Sequence, residues 1–229
     1  MRLLALGDIH GCYDALAALE AAVAPTDDDL MVAVGDYVDR GPNSAAVLDW
    51  AIERHAAGRL VALRGNHERM MLDARHDLRA RHAWLLYGGE AALASYSDDG
   101  RPAALTAIPG RHWRFLEQDC LNWFETDTHF FVHANVLPNI PLDEQPEAVL
   151  LWQRFYDVQP HDGGKTMICG HTPQESGRPT NLGYAVCIDT WVYNSGWLTC
   201  LDVASGEYWQ ANQQGEVRCG NLEEPEAGR

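Results

Sequence analysis

Leu60-Val61-Ala62-Leu63-Arg64-Gly65-Asn66-His67-Glu68 is a short apolar run that stops abruptly in a guanidinium, a glycine, an amide, an imidazole and a carboxylate. A core has no use for that set, whereas an amide oxygen and an imidazole can hold a metal or move a proton, and a guanidinium can grip a phosphate. Two earlier apolar runs end the same way: 2–6 in Gly7-Asp8-Ile9-His10-Gly11, and 30–34 in Gly35-Asp36-Tyr37-Val38-Asp39-Arg40-Gly41. Between them, 12–23 carries Leu16, Leu19, Ala22 and Val23 near helical spacing, and Pro42-Asn43-Ser44 opens a second amphipathic stretch with Ala46, Val47, Trp50 and Ala51. Short apolar strands alternating with amphipathic helices predict an α/β sheet. Ligands of such sheets gather at the carboxyl ends of strands, where all three motifs lie.

Further along, 68–117 predicts an irregular helical insert over the sheet, broken at Gly88-Gly89. Strand-like sequence resumes at 123–124 and 128–132, ending in His133-Ala134-Asn135, and 165–169 ends in Gly170-His171-Thr172. The runs 184–189, 197–203 and 207–211 predict an antiparallel meander. One catalytic domain is expected over 1–222, with 223–229 a disordered tail.

The 229 residues, 46% hydrophobic and 22% charged, suit one domain of roughly 200–250 residues. A formal charge of -16 opposes a sequence-independent grip on nucleic acid, so no nucleic-acid partner is expected. The apolar start before the first charged turn is too short for a signal peptide or a membrane span, which predicts a cytoplasmic protein with no membrane partner. The oligomeric state stays open. Six scattered cysteines without a C-x-x-C pair read as free thiols. His55, His76, His82, His112, His129 and His161 match no motif and are expected at the surface, and Trp191 is expected in the core rather than along a substrate groove. Gly163-Gly164-Lys165-Thr166 ends like a phosphate-binding loop, but Gln159 stands where the first glycine belongs, which excludes it.

Asp8 and His10 are two apart, so an extended segment points both to one side, a carboxylate and an imidazole that suit a borderline divalent metal. Asp36 on the neighbouring strand end can bridge to a second ion, completed by Asn66, His133 and His171. Two ions about 3.5–4 Å apart can activate a water and clamp both ends of an in-line phosphoryl displacement. With only Asp8 and Asp36 anionic, such a site is net positive and attracts a phosphate dianion. His67 is left as general acid, with Asp39 to hold its ring and keep it protonated. Arg40 and Arg64 would neutralise the non-bridging phosphate oxygens, and Arg154 is a further candidate for that clamp. Oxygen and nitrogen ligands without sulfur admit Mn²⁺, Fe, Zn²⁺ or Co²⁺, with Mn²⁺ the first expectation.

The ordered set Gly7-Asp8-Ile9-His10-Gly11, Gly35-Asp36-Tyr37-Val38-Asp39-Arg40-Gly41, Arg64-Gly65-Asn66-His67-Glu68, His133-Ala134 and Gly170-His171 resembles the signature of the phosphoprotein phosphatase family of calcineurin-like metallophosphoesterases. Within that family it is most similar to the short bacterial and bacteriophage-lambda type serine/threonine phosphatases. The resemblance implies a β-sandwich flanked by helices with a dimetal site at strand ends. It also implies the same roles: Asp8, His10 and Asp36 on one metal; Asp36, Asn66, His133 and His171 on the other; His67 with Asp39 as the acid pair; Arg40, Arg64 and Arg154 on phosphate. Two departures stand out: Ala134-Asn135 where the eukaryotic enzymes have two glycines, and a bulky Trp191 in Asp189-Thr190-Trp191 where similar bacterial sequences tend to carry glycine. The expected activity is metal-dependent dephosphorylation of phosphoserine or phosphothreonine proteins by direct attack of a metal-bridging hydroxide, the substrate being a phosphoprotein or small phosphoester. The alternatives are a symmetrical diadenosine tetraphosphate hydrolase or other small nucleotide phosphatase, and, from another class, a non-catalytic binding module on the same fold.

Overall fold

The computed structural model describes residues 1–223 and 225, so residues 224 and 226–229 of the expected tail lie outside it. Two mixed sheets face each other. The first has strand order β11-β10-β9-β1-β2-β3, with β1 Leu3–Leu6, β2 Leu30–Ala33, β3 Leu60–Ala62, β9 Leu198–Asp202, β10 Glu207–Ala211 and β11 Val217–Asn221. The second runs β4-β5-β6-β8-β7, with β4 Trp123–Glu125, β5 His129–Val132, β6 Thr166–Cys169, β7 Thr180–Asn181 and β8 Ala185–Cys187.

The central strands are apolar on both faces because both faces are covered. Ala5 of β1, Val32 of β2, Phe131 of β5, Ile168 of β6 and Val186 of β8 meet in the core between the sheets. Their neighbours turn the other way, as period-two geometry requires. Leu4, Leu6 and Ala33 pack under α1 (Tyr13–Val23), α2 (Ser44–Ala56) and the helical insert. Phe130, Val132, Met167 and Cys187 pack against Leu150, Leu151 and Phe155. The result is a helix-flanked β-sandwich of the expected kind. α2 starts where its sequence says it should, with the Asn43 side chain accepting the Ala46 amide at 3.2 Å.

β1, β2 and β3 run parallel, as do β5, β6 and β8, which places the three early motifs and the two later histidines at carboxyl ends. The expected meander needs correction. β8 belongs to the second sheet, parallel to β6, and the chain crosses to the first sheet before β9, so the antiparallel run is β9-β10-β11. The short β7 and the mostly polar β11 were not anticipated; β11 alternates exposed and half-buried residues on an edge, a pattern with little apolar content to read. All six cysteines are free thiols, five of them buried. Among the described residues, no helix is long and apolar enough to cross a membrane.

Candidate active site

The turns after β1 and β2 are sewn together by backbone. The Ile9 and His10 amides donate to the Asp36 carbonyl at 3.0 and 2.8 Å, and the Gly11 amide to the Tyr37 carbonyl at 2.8 Å. Glu68, fully buried, collects four backbone amides on one carboxylate: Asp36 and Gly65 on Oε2, each at 2.8 Å, and Tyr37 and Val38 on Oε1 at 2.8 and 3.3 Å. It thereby fixes the β2 turn against the first turn of α3 (Asn66–Asp73). Close approach demands glycine at two points, because a Cβ on Gly65 would collide with Asp36 Oδ1 and one on Gly170 with Asp8 Oδ1. The turns are strained as well as tight. His10, Asp36, Asp39, Arg40 and His171 all have positive φ, between 47° and 73°. Non-glycine residues persist there only where the surroundings over-determine them.

Three of the four histidines brought together here spend one ring N–H on a carbonyl: His10 Nδ1 on Val38 at 2.9 Å, His133 Nδ1 on Val34 at 2.9 Å, and His171 Nε2 on Trp152 at 3.2 Å. Each then presents the lone pair of its other nitrogen inward, that of His10 Nε2 meeting the Arg40 guanidinium at 2.9 Å. Two of those lone pairs converge on one oxygen, with Asn66 Oδ1 lying 2.9 Å from His133 Nε2 and 3.0 Å from His171 Nδ1. Asp36 sits between the two halves, Oδ1 at 3.5 Å from His133 Nε2 and Oδ2 at 3.3 Å from His10 Nε2. Donor atoms of Asp36, His133 and His171 fall within 4.8 Å of one another, and so do those of His10, Asp36 and His67. Asp8 is buried in the same corner, but it is not part of either trio: Oδ2 accepts the His171 amide at 2.9 Å, and Oδ1 is buried without a partner. The chemistry of the donor set fits divalent cations, since acceptors converge on acceptors and a buried carboxylate oxygen is unpaired.

Charge states follow the same division. Burial holds the His10, His133 and His171 imidazoles below their ordinary range, His171 to about 3 with His133 adding to the effect. Neutral imidazole is the ligating form. Burial pushes the Asp8 carboxyl well up, with the Asp189 and Asp36 carboxylates adding to it. Burial would also raise Asp36, but the surrounding imidazoles of His133, His67, His10 and His171 reverse this and hold it below the carboxylate range. His67 differs from the other three. Burial would lower it, yet Asp36 and the bonded Asp39 outweigh that and raise it. Its Nδ1 lies 2.7 Å from Asp39 Oδ2, and Nε2 faces Asp36 Oδ2 at 4.0 Å.

A cavity of about 280 Å³ opens over this floor, lined in part by Asp36, Arg40, Asn66, His67, Arg154 and His171. Arg40 and Arg154 are therefore at hand for an anion. Arg64 is not: its guanidinium donates to the carbonyls of Leu116, Glu117 and Cys120 and to Asn122 Oδ1, at 3.1–3.3 Å. It closes the end of the insert, and the expected phosphate clamp loses that member because the orphan carbonyls of a helix end have claimed it.

The sequence reading gave no role to Trp84, Tyr193 or Asp189. Trp84, fully buried, donates Nε1 to both oxygens of Asp39 at 2.9 Å. Tyr193 lies under the Arg40 guanidinium, 4.3 Å from centroid to Cζ, and edge-on to His10 at 4.9 Å. Asp189, pushed up to about 7 by burial with Asp36 contributing, keeps Oδ2 buried and unpaired. Its position right after an apolar strand repeated the pattern of the other motifs and was the available signal. Trp191 is half-buried and lies outside the cavity lining.

The model of the family described as calcineurin-like phosphoesterase matches residues 1–208. The chain is 33% identical to serine/threonine-protein phosphatase 2 of Salmonella typhimurium, over 86% of this chain and 91% of that one. It is 34% identical to serine/threonine-protein phosphatase 1 of the same organism, over 67% of this chain and 63% of the relative, so it spans slightly less than two thirds of that protein's length. It is also 45% identical to the symmetrical bis(5'-nucleosyl)-tetraphosphatase of Photorhabdus laumondii, but over 69 residues, 29% of this chain and 24% of the relative.

Proposed function

Because the chain belongs to the calcineurin-like phosphoesterase family, an enzyme family that works with divalent metals, we propose that it is a metal-dependent phosphomonoesterase acting on phosphoserine or phosphothreonine in proteins. The observation that carries this reading is the split among the buried histidines, three neutral with lone pairs aimed inward and one, His67, paired with Asp39. Asp8, His10 and Asp36 would hold one cation, and Asp36, Asn66, His133 and His171 a second, with Mn²⁺ the first candidate. Bound there, the ions supply positive charge and an activated water.

The chain's own groups do the rest. Arg40, braced on Tyr193, and Arg154 neutralise the non-bridging phosphate oxygens. His67 delivers a proton from Nε2 to the leaving oxygen, while Asp39 holds Nδ1–H and Trp84 fixes Asp39. No Ser, Thr or Cys is among the residues lining the cavity, which favours direct transfer of the phosphoryl group to water. The relative named serine/threonine-protein phosphatase 2 is matched over 91% of its own length, against 52% for a symmetrical bis(5'-nucleosyl)-tetraphosphatase matched over 66% of this chain, which favours a phosphoprotein. The deciding assay sets a phosphoserine peptide against diadenosine tetraphosphate, with and without Mn²⁺. Mn²⁺-dependent turnover of the peptide is expected; a preference for the dinucleotide by orders of magnitude overturns the choice.

A further inference from the structure

Two buried carboxylate oxygens have no task in holding the fold together. Among the described residues, the buried carboxylate oxygens without a hydrogen-bond partner are Asp8 Oδ1, Glu20 Oε1 and Asp189 Oδ2. Glu20 Oε1 lies against the Arg54 guanidinium, so charge satisfies it. Asp8 and Asp189, 3% and 2% exposed, have no such ion pair among the described residues. A buried carboxylate oxygen with nothing to accept from is a standing cost unless a ligand supplies the partner.

Backbone register brings the two acids to one corner. β6 and β8 run parallel with Cys169 opposite Cys187, and the Ile188 amide donates to the Cys169 carbonyl at 2.8 Å. His171 stands two residues past Cys169 and Asp189 two past Cys187, at the same carboxyl edge. From the other sheet, Gly7 packs so closely on Ile188 that a Cβ would fall 2.5 Å from the Ile188 carbonyl oxygen. Asp8 and Asp189 are the next residues after that contact. Each spends one oxygen on a backbone amide, Asp8 Oδ2 on His171 at 2.9 Å and Asp189 Oδ1 on Trp191 at 3.0 Å, which fixes the direction of the other. The Trp191 amide belongs to a residue with φ 68°, in a turn that the Asp189 side chain closes.

The charges around Asp189 show which half of the floor it faces. Asp36, Arg40 and His67 act on it, and it is in turn the charge that acts most strongly on Asp8. Tyr193, four residues further on, lies edge-on to His10 at 4.9 Å. All of these border the half that carries His10. The cation assigned to that half has Asp8, His10 and Asp36 as protein donors, fewer than the roughly six that an oxygen-rich divalent site takes. Resting on the metal-dependent reading above, we infer that Asp189 Oδ2 is a fourth protein donor to this cation. Three carboxylates against two divalent ions leave the floor net positive, so its attraction for a phosphate survives.

The test reads metal rather than turnover. Metal-free wild type, Asp189→Asn and Asp189→Ser are titrated with Mn²⁺ by calorimetry and followed by electron paramagnetic resonance; Asn and Ser can each accept the Trp191 amide and keep the turn. One of the two Mn²⁺ sites should weaken roughly 10- to 100-fold in both variants while the other stays within about threefold. Under conditions that fill both sites of wild type, the coupled two-ion signal should give way to that of isolated Mn²⁺. The metal-free variants should unfold in urea no earlier than wild type, because each loses an unsatisfied buried group. Both sites unchanged within about twofold overturn the inference. Equal weakening of both sites, or metal-free variants less stable than wild type, marks a structural residue and overturns it too. A wild type that binds no Mn²⁺ sinks this inference and the proposed function together; a wild type whose two sites the variants share sinks this inference alone.

Discussion

Two histidines in this molecule are each 1% exposed, and each lies 2.7 Å from an aspartate, yet their rings are shifted in opposite directions. His67 faces Asp39, whose carboxylate is fully buried and bonded to Trp84, and it sees Asp36 at 4.0 Å on its other side. His112 faces Asp49, which is 42% exposed and also takes the Arg111 guanidinium at 2.7 Å, and its Nδ1 meets the Tyr96 hydroxyl at 2.8 Å. Burial lowers both rings. For His67, two buried carboxylates overcome that and raise it; for His112, one shared, half-solvated carboxylate does not, and Arg111 works against it. A histidine–aspartate pair becomes a proton donor only where a second carboxylate is near and no cation competes for the first. The His67 pair is suited to chemistry, whereas the His112 pair ties α2 to the insert.

The sharpest break of the comparison is in turnover. His67→Asn should cut hydrolysis of a phosphoserine peptide by roughly 10²- to 10⁴-fold with metal content unchanged by elemental analysis, while His112→Gln should keep it within the same order of magnitude. A near-normal rate for His67→Asn would remove it as the acid. Stability should reverse the ranking. Asp49→Ala strips the buried His112 of its acceptor and should cost about 1–2 kcal/mol in urea unfolding, with little effect on the Mn²⁺-supported rate; a loss of rate matching His67→Asn would mean the two pairs are not separate. The smallest effect is in pH. Because the His112 ring is lowered in the folded state, the unfolded chain binds more protons there, so its contribution is present above the unfolded value of about 6.5 and is lost as pH falls below it. The stability gap between wild type and His112→Gln should therefore shrink from pH 7 to pH 5. A raised ring such as His67 has the opposite sign, its contribution present at low pH and lost on going up through the folded value.

The same contrast shows what could be read without coordinates. His67 and Asp39 sit in polar clusters at the ends of apolar runs, so their place at the site was legible, whereas the strand pattern announced one α/β sheet and the sandwich came only with the family resemblance. His112, expected at the surface, is buried: its partners Asp49 and Tyr96 stand 63 and 16 residues away, with no shared spacing to announce them. Trp84 could not be singled out, since hydrophobicity says nothing about where an N–H points. Arg64 shared a motif with true floor residues, but which neighbour claims a long flexible side chain is settled by packing alone. The assignment of β8 and β9 to different sheets escaped for a related reason: a strand's own sequence does not name its partners.

The left-handed backbone at His10, Asp36, Asp39, Arg40 and His171 has a consequence for stability. Each such position costs about 1–2 kcal/mol relative to glycine, and together they rival the whole margin by which a domain of this size stays folded. Glycine at any of these five positions would relieve that backbone strain while removing the side chain held there.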